Sequence, residues 1–287
     1  MIPKKILIFG GTHGNEWTGV MAVKKYAEFL KEKFKHLDLH FIHANPEAYL
    51  INKRFRDEDL NRAFQFLHEN RPDSYEHKRA REIKELVDSA PCFVIDLHTT
   101  TSNMGNTIII TRDHPLNFSI ACGIKNKLTE TKIIFSPDPD QKYLASQSET
   151  GLMIEIGPVA QGVVDAHTLK ETLRLIEEIL KEISSQGDSM ASGLEIFEEV
   201  EDIYYPQDEK GQIEAMIHED FQGRDFMELQ GEYVPFKKFS GEAIKMNASE
   251  KLYPIFINEA AYYPSKLAFT LCRKIKRVLT PLRVNGK

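Results

Sequence analysis

The first apolar run, Ile6 to Phe9, stops at Gly10-Gly11, the length and ending of a buried strand over 5–9. From Trp17 to about Phe34 the positions Val20, Val23, Ala27 and Leu30 recur at three- and four-residue spacing, which predicts an amphipathic helix. A second strand is expected over 37–44. A charged helix follows over about 73–89, opened by Asp73 with Glu76 three residues on as an approximate capping box. Apolar runs predict further strands at 92–97, 107–111, 132–135 and 152–156. Leu169, Leu173, Ile176, Leu180 and Ile183 outline one more helix. Strands alternating with helix-length segments imply an α/β fold, with a parallel or mixed sheet covered on both faces and ligands gathered at the carboxyl ends of its strands.

The pattern changes near Ser184-Ser185-Gln186-Gly187-Asp188. Beyond it come short extended segments with Asp-Glu-Lys-Gly and Gln-Gly turns, so 1–187 and a smaller β-rich 188–287 are expected as two domains. The 287 residues agree, at about 150 residues per domain. The stretch Arg273 to Lys287, with six basic and no acidic side chains, is expected to be a solvated helix and tail.

Composition narrows the function classes. Hydrophobic residues make up 41% and charged residues 28%, which excludes wholesale disorder. Lys plus Arg number 37 and Asp plus Glu 43, a net charge of −6, which disfavours nucleic acid as a partner because phosphate neutralisation needs a positive field. Cys92, Cys122 and Cys272 are odd in number and widely spaced, against both a disulfide framework and a thiolate metal cage. No apolar stretch at the N-terminus is long enough for a signal sequence or membrane span, so a cytoplasmic protein is expected. A homo-oligomer is compatible with the chain.

The chemistry concentrates where strands end. Gly10-Gly11-Thr12-His13-Gly14-Asn15-Glu16 fits neither common phosphate-binding glycine motif, but it carries an imidazole and a carboxylate three residues apart, a pair suited to zinc. A capping Glu and a solvated His are the alternative. His98 closes the strand Phe93-Val94-Ile95-Asp96-Leu97-His98, and period-two alternation puts Asp96 on its face, where a carboxylate orients a ligating imidazole. A buried His bonded to its own Asp fits the same pattern. Glu155 sits inside the apolar run Leu152 to Ile156, where burial would raise its pKa toward that of a general base, unless that strand face is open to solvent. Arg54 and Arg62, in a loop dense in both charges, could grip a carboxylate or simply be solvated.

Taken together, GGTHGNE (10–16), DLNR (59–62), DLHTTTSNMG (96–105), IEIGP (154–158) and FINEAAYY (256–263) resemble the aspartoacylase family of zinc carboxypeptidase-like hydrolases, in family order over nearly the whole chain. The resemblance implies a mixed sheet flanked by helices, with the β-rich C-terminal domain capping the active-site cleft. It implies one Zn²⁺ per chain on His13, Glu16 and His98, with Glu155 as general base and Arg54 polarising the scissile carbonyl. Asn61, Arg62, Tyr262 and Tyr143 would bind substrate, with Asp59 supporting the arginines. The implied reaction is deacylation of an N-acyl amino acid, N-acetyl-L-aspartate first among substrates.

Two positions depart from the family. Thr99 stands where many members have Asn. The arginine that holds the aspartyl side chain, some ten residues before the catalytic glutamate, has no counterpart in Lys142 to Thr150, and no arginine occurs between Arg112 and Arg174. N-acetylated neutral or aromatic amino acids, cysteine conjugates and succinylated amino acids are the alternatives of the same chemistry. A non-enzymatic zinc-dependent anion-binding protein is the alternative of another class, and Glu155 speaks against it, since a binding site needs no base.

Overall fold

Alternate residues of the first strand face opposite sides of a sheet that is covered twice. In the computed structural model, which describes residues 3–67, 69, 74–185 and 193–279, Ile6 and Ile8 of β1 (Lys5–Gly10) join one apolar core and Leu7 and Phe9 another. The chain continues through α1 (Trp17–Lys25), α2 (Ala27–Lys33), β2 (Asp38–His43), α3 (Pro46–Leu50), α4 (Leu60–Ala63) and α5 (Tyr75–Asp88). Then come β3 (Cys92–Thr99), β4 (Gly105–Ile110), α6 (Pro115–Lys127), β5 (Lys132–Phe135), β6 (Thr150–Gly157) and α7 (Ala166–Ser184). The rest is β7 (Leu194–Tyr204), β8 (Ala215–Ile217), β9 (Leu229–Lys238), β10 (Ala243–Ile255) and β11 (Leu267–Arg277).

These strands form one sheet in the order β2-β1-β3-β6-β4-β5-β7-β11-β10-β9-β8. The pairs β1–β2, β1–β3 and β3–β6 are parallel, so the carboxyl ends of β1, β3 and β6 lie side by side. β4 runs antiparallel to β6, and the sheet from β7 through β11, β10, β9 and β8 is antiparallel throughout. The mixed α/β architecture expected from the apolar pattern is therefore present. A short parallel contact, Ile134 with Phe197 and Phe135 with Glu198, joins β5 to β7 and carries the sheet into its antiparallel part.

On one face α1, α6 and α7 pack against β1, β3, β4 and β6; on the other, α4 and α5 pack against β1 and β3. Strands sandwiched this way need apolar residues on both sides, which is why β3 and β6 are buried at every position.

Several local expectations need correction. The helix expected over 17–34 is two helices interrupted at Tyr26, although Tyr26 N still donates to Ala22 O and Leu30 N to Tyr26 O, so the apolar stripe continues. α6 was not expected, because Leu116 to Ile124 are all buried and a helix without a polar face has no periodicity to read. Asp73 lies outside the described residues. Ser74 caps α5 by accepting from His77 N at 2.9 Å, and Glu76 serves another purpose, given below. The basic stretch expected to be helical is strand as far as Arg277, and 280–287 lie outside the described residues, as do 186–192 around the expected domain boundary. Among the described residues no helix is long and apolar enough to cross a membrane.

Candidate active site

The turn after β1 is built on glycine. Gly11 takes a positive φ of 73°. A Cβ on Gly14 would stand 2.2 Å from the carbonyl carbon of Ala48, so the turn closes against α3 only because no side chain is there. Glu16 N donates to His13 O at 3.1 Å and closes the turn, and Glu16 occupies the N-cap position of α1. His13 Nδ1 thereby lies 2.5 Å from Glu16 Oε1.

The neighbouring strand supplies His98. Its Nε2 lies 2.7 Å from Asp96 Oδ2, and Thr12 Oγ1 donates to Asp96 Oδ1 at 2.6 Å, so the ring is held from behind. An Nε2–H bonded to Asp96 leaves the Nδ1 lone pair facing forward. That Nδ1 is 3.0 Å from Glu16 Oε2 and 3.2 Å from His13 Nδ1. The buried His98 bonded to its own Asp is therefore present, and its other nitrogen points into a shared space.

The donor set fits a metal ion. Two imidazole nitrogens and a carboxylate, all buried, place their ligand atoms within 4.8 Å of one another. Nitrogens in such proximity, aimed at one carboxylate, need a cation or a proton between them. His13 Nε2, also buried, has no hydrogen-bond partner and faces Asp59 Oδ1 at 3.4 Å. Burial acts to raise the Glu16 pKa, but the charges of His13 and His98 overcome it and hold the carboxyl well below its ordinary range. Burial likewise opposes charge on His98, yet Asp96 and Glu16 raise its pKa well above that of a free imidazole.

The arginine loop is ordered from beneath. Glu76, fully buried, accepts from Arg56 N at 2.6 Å, Asp57 N at 3.0 Å and Glu58 N at 3.2 Å, so the carboxylate read as a helix cap is the anchor of the loop. Asp59 caps α4 by accepting from Asn61 N at 2.8 Å and takes Arg54 Nε at 3.0 Å. Burial would raise the Asp59 pKa, but His13, Arg54 and Arg62 hold it far down. Arg54 Nη1 is 3.6 Å from Glu16 Oε1, which ties the loop to the His-Glu turn. Asn61 Oδ1 accepts from Leu144 N at 2.9 Å, and the Arg62 guanidinium stands 5.2 Å over the Tyr143 ring.

Glu155 is opposite His98 in the β3–β6 register and is 8% exposed, which removes the open-face alternative. Its Oε1 has no hydrogen-bond partner. Burial pushes its pKa well up, helped by Glu16 and Glu259 and opposed by His98 and Arg54. Tyr143, pushed up to about 12 chiefly by burial, is a neutral phenol. One cleft of about 590 Å³, its mouth included, is lined by His13, Glu16, Arg54, Asn61, Arg62, His98, Tyr143, Glu155 and Tyr262. The fold thus brings together nine of the ten side chains given roles by the resemblance, and the tenth, Asp59, bonds Arg54.

Residues 3–183 match the profile of the succinylglutamate desuccinylase/aspartoacylase catalytic domain, and 192–274 match the AstE/AspA barrel-sandwich hybrid domain. The chain belongs to this family. A probable aspartoacylase of Trichodesmium erythraeum is 36% identical, over 94% of this chain and 97% of the relative. The N-acyl-aromatic-L-amino acid amidohydrolase (carboxylate-forming) of Xenopus tropicalis is 34% identical, over 98% and 96%. The crystal structure of murine aminoacylase 3 superposes with a TM-score of 0.90 at 29% identity, covering 97% of each chain.

Two carboxylates of this succinylglutamate desuccinylase/aspartoacylase family member escaped the sequence reading. Glu259, buried and part of FINEAAYY, accepts at Oε2 from Thr101 N at 2.7 Å, Thr101 Oγ1 at 2.9 Å, Ser102 N at 3.2 Å and the Thr100 hydroxyl. It pins the turn that carries Tyr262 onto the loop following His98. The other is Glu199 of β7, which lines the cleft and accepts from Ser136 Oγ at 2.6 Å. Its only signal in the sequence is an acidic run, Glu198 to Asp202, that reads as solvated strand.

Proposed function

We propose that the protein is a zinc-dependent amidohydrolase that cleaves N-acyl amino acids to a carboxylate and the free amino acid. The observation that carries this reading is the meeting of His13, Glu16 and His98 in one cleft with a buried Glu155 whose Oε1 has no hydrogen-bond partner. His13 and His98 through Nδ1, and Glu16 through its carboxylate, would hold the metal. Zinc bound there would supply Lewis acidity, making water acidic near neutral pH.

The remaining work falls to side chains. Glu155, its proton affinity raised by burial, takes a proton from the attacking water and returns it to the leaving amine as the C–N bond breaks. Arg54, held at Nε by Asp59, presents its guanidinium to the developing oxyanion. Asn61, its amide oxygen occupied by Leu144 N, offers Nδ2; with Arg62 and the Tyr262 hydroxyl it would fix the substrate's α-carboxylate. Tyr143 would pack against the bound ligand beside Arg62. We assign this chemistry to 1–187 and the closing wall of the cleft to 188–287. A cytoplasmic enzyme without nucleic-acid or membrane partners, monomeric or a homo-oligomer, is the setting proposed.

N-acetyl-L-aspartate is the substrate the family resemblance puts first. N-acetylated neutral or aromatic amino acids are favoured by the cleft itself, whose lining among the described residues holds Arg54 and Arg62 but no further Arg or Lys, and whose apolar wall includes Ile109, Met153 and Phe256. The test is hydrolysis of a panel of N-acyl amino acids by zinc-loaded and chelator-stripped protein, with metal content measured. Metal-dependent release of free amino acid is expected. Stoichiometric zinc with no turnover on any member of the panel would leave an anion-binding protein.

A further inference from the structure

The cleft carries charge of both signs. Arg54 and Arg62 line it, with Arg54 Nη1 3.6 Å from Glu16, and besides Glu16, Glu155 and Glu259 the lining holds one more acid, Glu199, on β7. Its place follows from the sheet. Glu198 pairs with Phe135 at the end of β5, so the next residues on the two strands, Glu199 and Ser136, come together at the cleft wall. Ser136 Oγ donates to Glu199 Oε2, leaving Oε1 with its accepting capacity.

Among the described residues no cation lies within ion-pair distance of Glu199. Lys142 is the cation whose field reaches it, yet that ammonium sits 5.0 Å over the Tyr143 ring and the residue does not line the cleft. On its own strand Asp202, bonded by Thr270 Oγ1 at 2.7 Å, adds negative charge, and from β11 the facing Cys272 is a buried neutral thiol. Burial, with Asp202, pushes the Glu199 carboxyl up to about 7, against the Ser136 bond and Lys142, so it is ionised at about pH 8.

Resting on the amidohydrolase reading, we propose that Glu199 determines side-chain specificity: the enzyme takes N-acyl amino acids whose side chain ends in a hydrogen-bond donor and rejects those ending in a carboxylate. A ligand whose α-carboxylate is held by Arg62 and whose acyl group reaches the metal group sends its side chain along the apolar stretch of Ile109 and Met153 toward Glu199. A phenol, amide or ammonium there donates to Oε1. A carboxylate there meets a like charge with no guanidinium to neutralise it, a juxtaposition that is strongly unfavourable in a partly desolvated cleft.

The test uses isosteric pairs at about pH 8. Zinc-loaded protein is assayed on N-acetylglutamine against N-acetylglutamate, and on N-acetyltyrosine against N-acetylphenylalanine. The wild type should favour the amide over the acid by at least about tenfold in kcat/KM, and the phenol over the ring without hydroxyl by a few-fold. Glu199→Gln should collapse the amide-to-acid ratio by about tenfold, because kcat/KM rises for N-acetylglutamate as the like charge is removed and falls for N-acetylglutamine as the charged acceptor is lost. A merely structural role would depress both substrates together and leave the ratio in place, and that result overturns the proposal. Should Glu199→Gln not fold, the wild-type ratio decides: equal turnover of the isosteric acid and amide rules the proposal out. Turnover of neither these four nor any other member of the N-acyl amino acid panel by zinc-loaded wild type removes the amidohydrolase reading itself; turnover of N-acetylaspartate with none of the four overturns the specificity proposal alone.

Discussion

The two sides of the cleft are made in different ways. The side carrying His13, Glu16, His98 and Glu155 grows from the carboxyl ends of three adjacent parallel strands, β1, β3 and β6, buried on both faces. The side carrying Tyr143, Glu199 and Tyr262 comes from a loop, a strand that meets β5 at two residue pairs, and a turn pinned by one carboxylate. The first is held by ladders on both sides of each strand; the second, although β7 is laddered to β11, joins the first through that short junction and a few side-chain bonds. Groups that must keep one geometry sit on rigid elements, and groups that choose the substrate sit where a single substitution alters the wall.

The sharpest way to break the contrast is Glu155→Gln. It should lower kcat on the order of 10²–10⁴-fold while zinc stays stoichiometric, since the variant keeps shape and loses the base. Parallel loss of metal and activity would move Glu155 from base to ligand. A smaller effect belongs to Asp96→Asn. The amide cannot hold the His98 Nε2–H as the carboxylate does at 2.7 Å, so zinc affinity should fall roughly 10–100-fold by competition with a chelator. Unchanged affinity would mean that the strand alone orients the ring.

The smallest effect is expected on the looser side. Glu259→Gln weakens charge-assisted bonds to the 100–102 loop, each worth about 1.5–3 kcal/mol, and frees the turn bearing Tyr262. KM should rise several-fold with kcat less affected and zinc affinity intact. A fall in metal affinity equal to that of Asp96→Asn would show that the two sides are not mechanically separate.

The same contrast explains what was legible in the chain. His13 and Glu16 follow one apolar run, His98 closes another and Glu155 interrupts a third, where polar residues stand out, and short-range motifs preserve their spacing. The fold class followed from those runs for the same reason. Glu76 was misread because its partners are backbone amides of Arg56, Asp57 and Glu58, and a backbone amide leaves no mark in a sequence. Glu259 stood inside a recognised motif, but its bonds reach across to Thr101 and Ser102. Glu199 was hidden by Glu198, Glu201 and Asp202, whose acidity makes the strand look solvated. Only its position one residue past the β5–β7 pairing turns it into the cleft.

That pairing has a consequence of its own. Phe135 opposite Glu198 works as a ruler, because it sets how far the Glu199 carboxylate stands from the His13-Glu16-His98 group and, on the specificity proposed above, how long a side chain the cleft would accommodate. A ruler with period-two marks cannot be shortened by one unit. Sliding β7 by a single residue along β5 would turn Glu199 to the far face and bring Glu198 or Val200 to the wall. Relatives with other appetites would be expected to change the residue at this mark and leave the spacing alone.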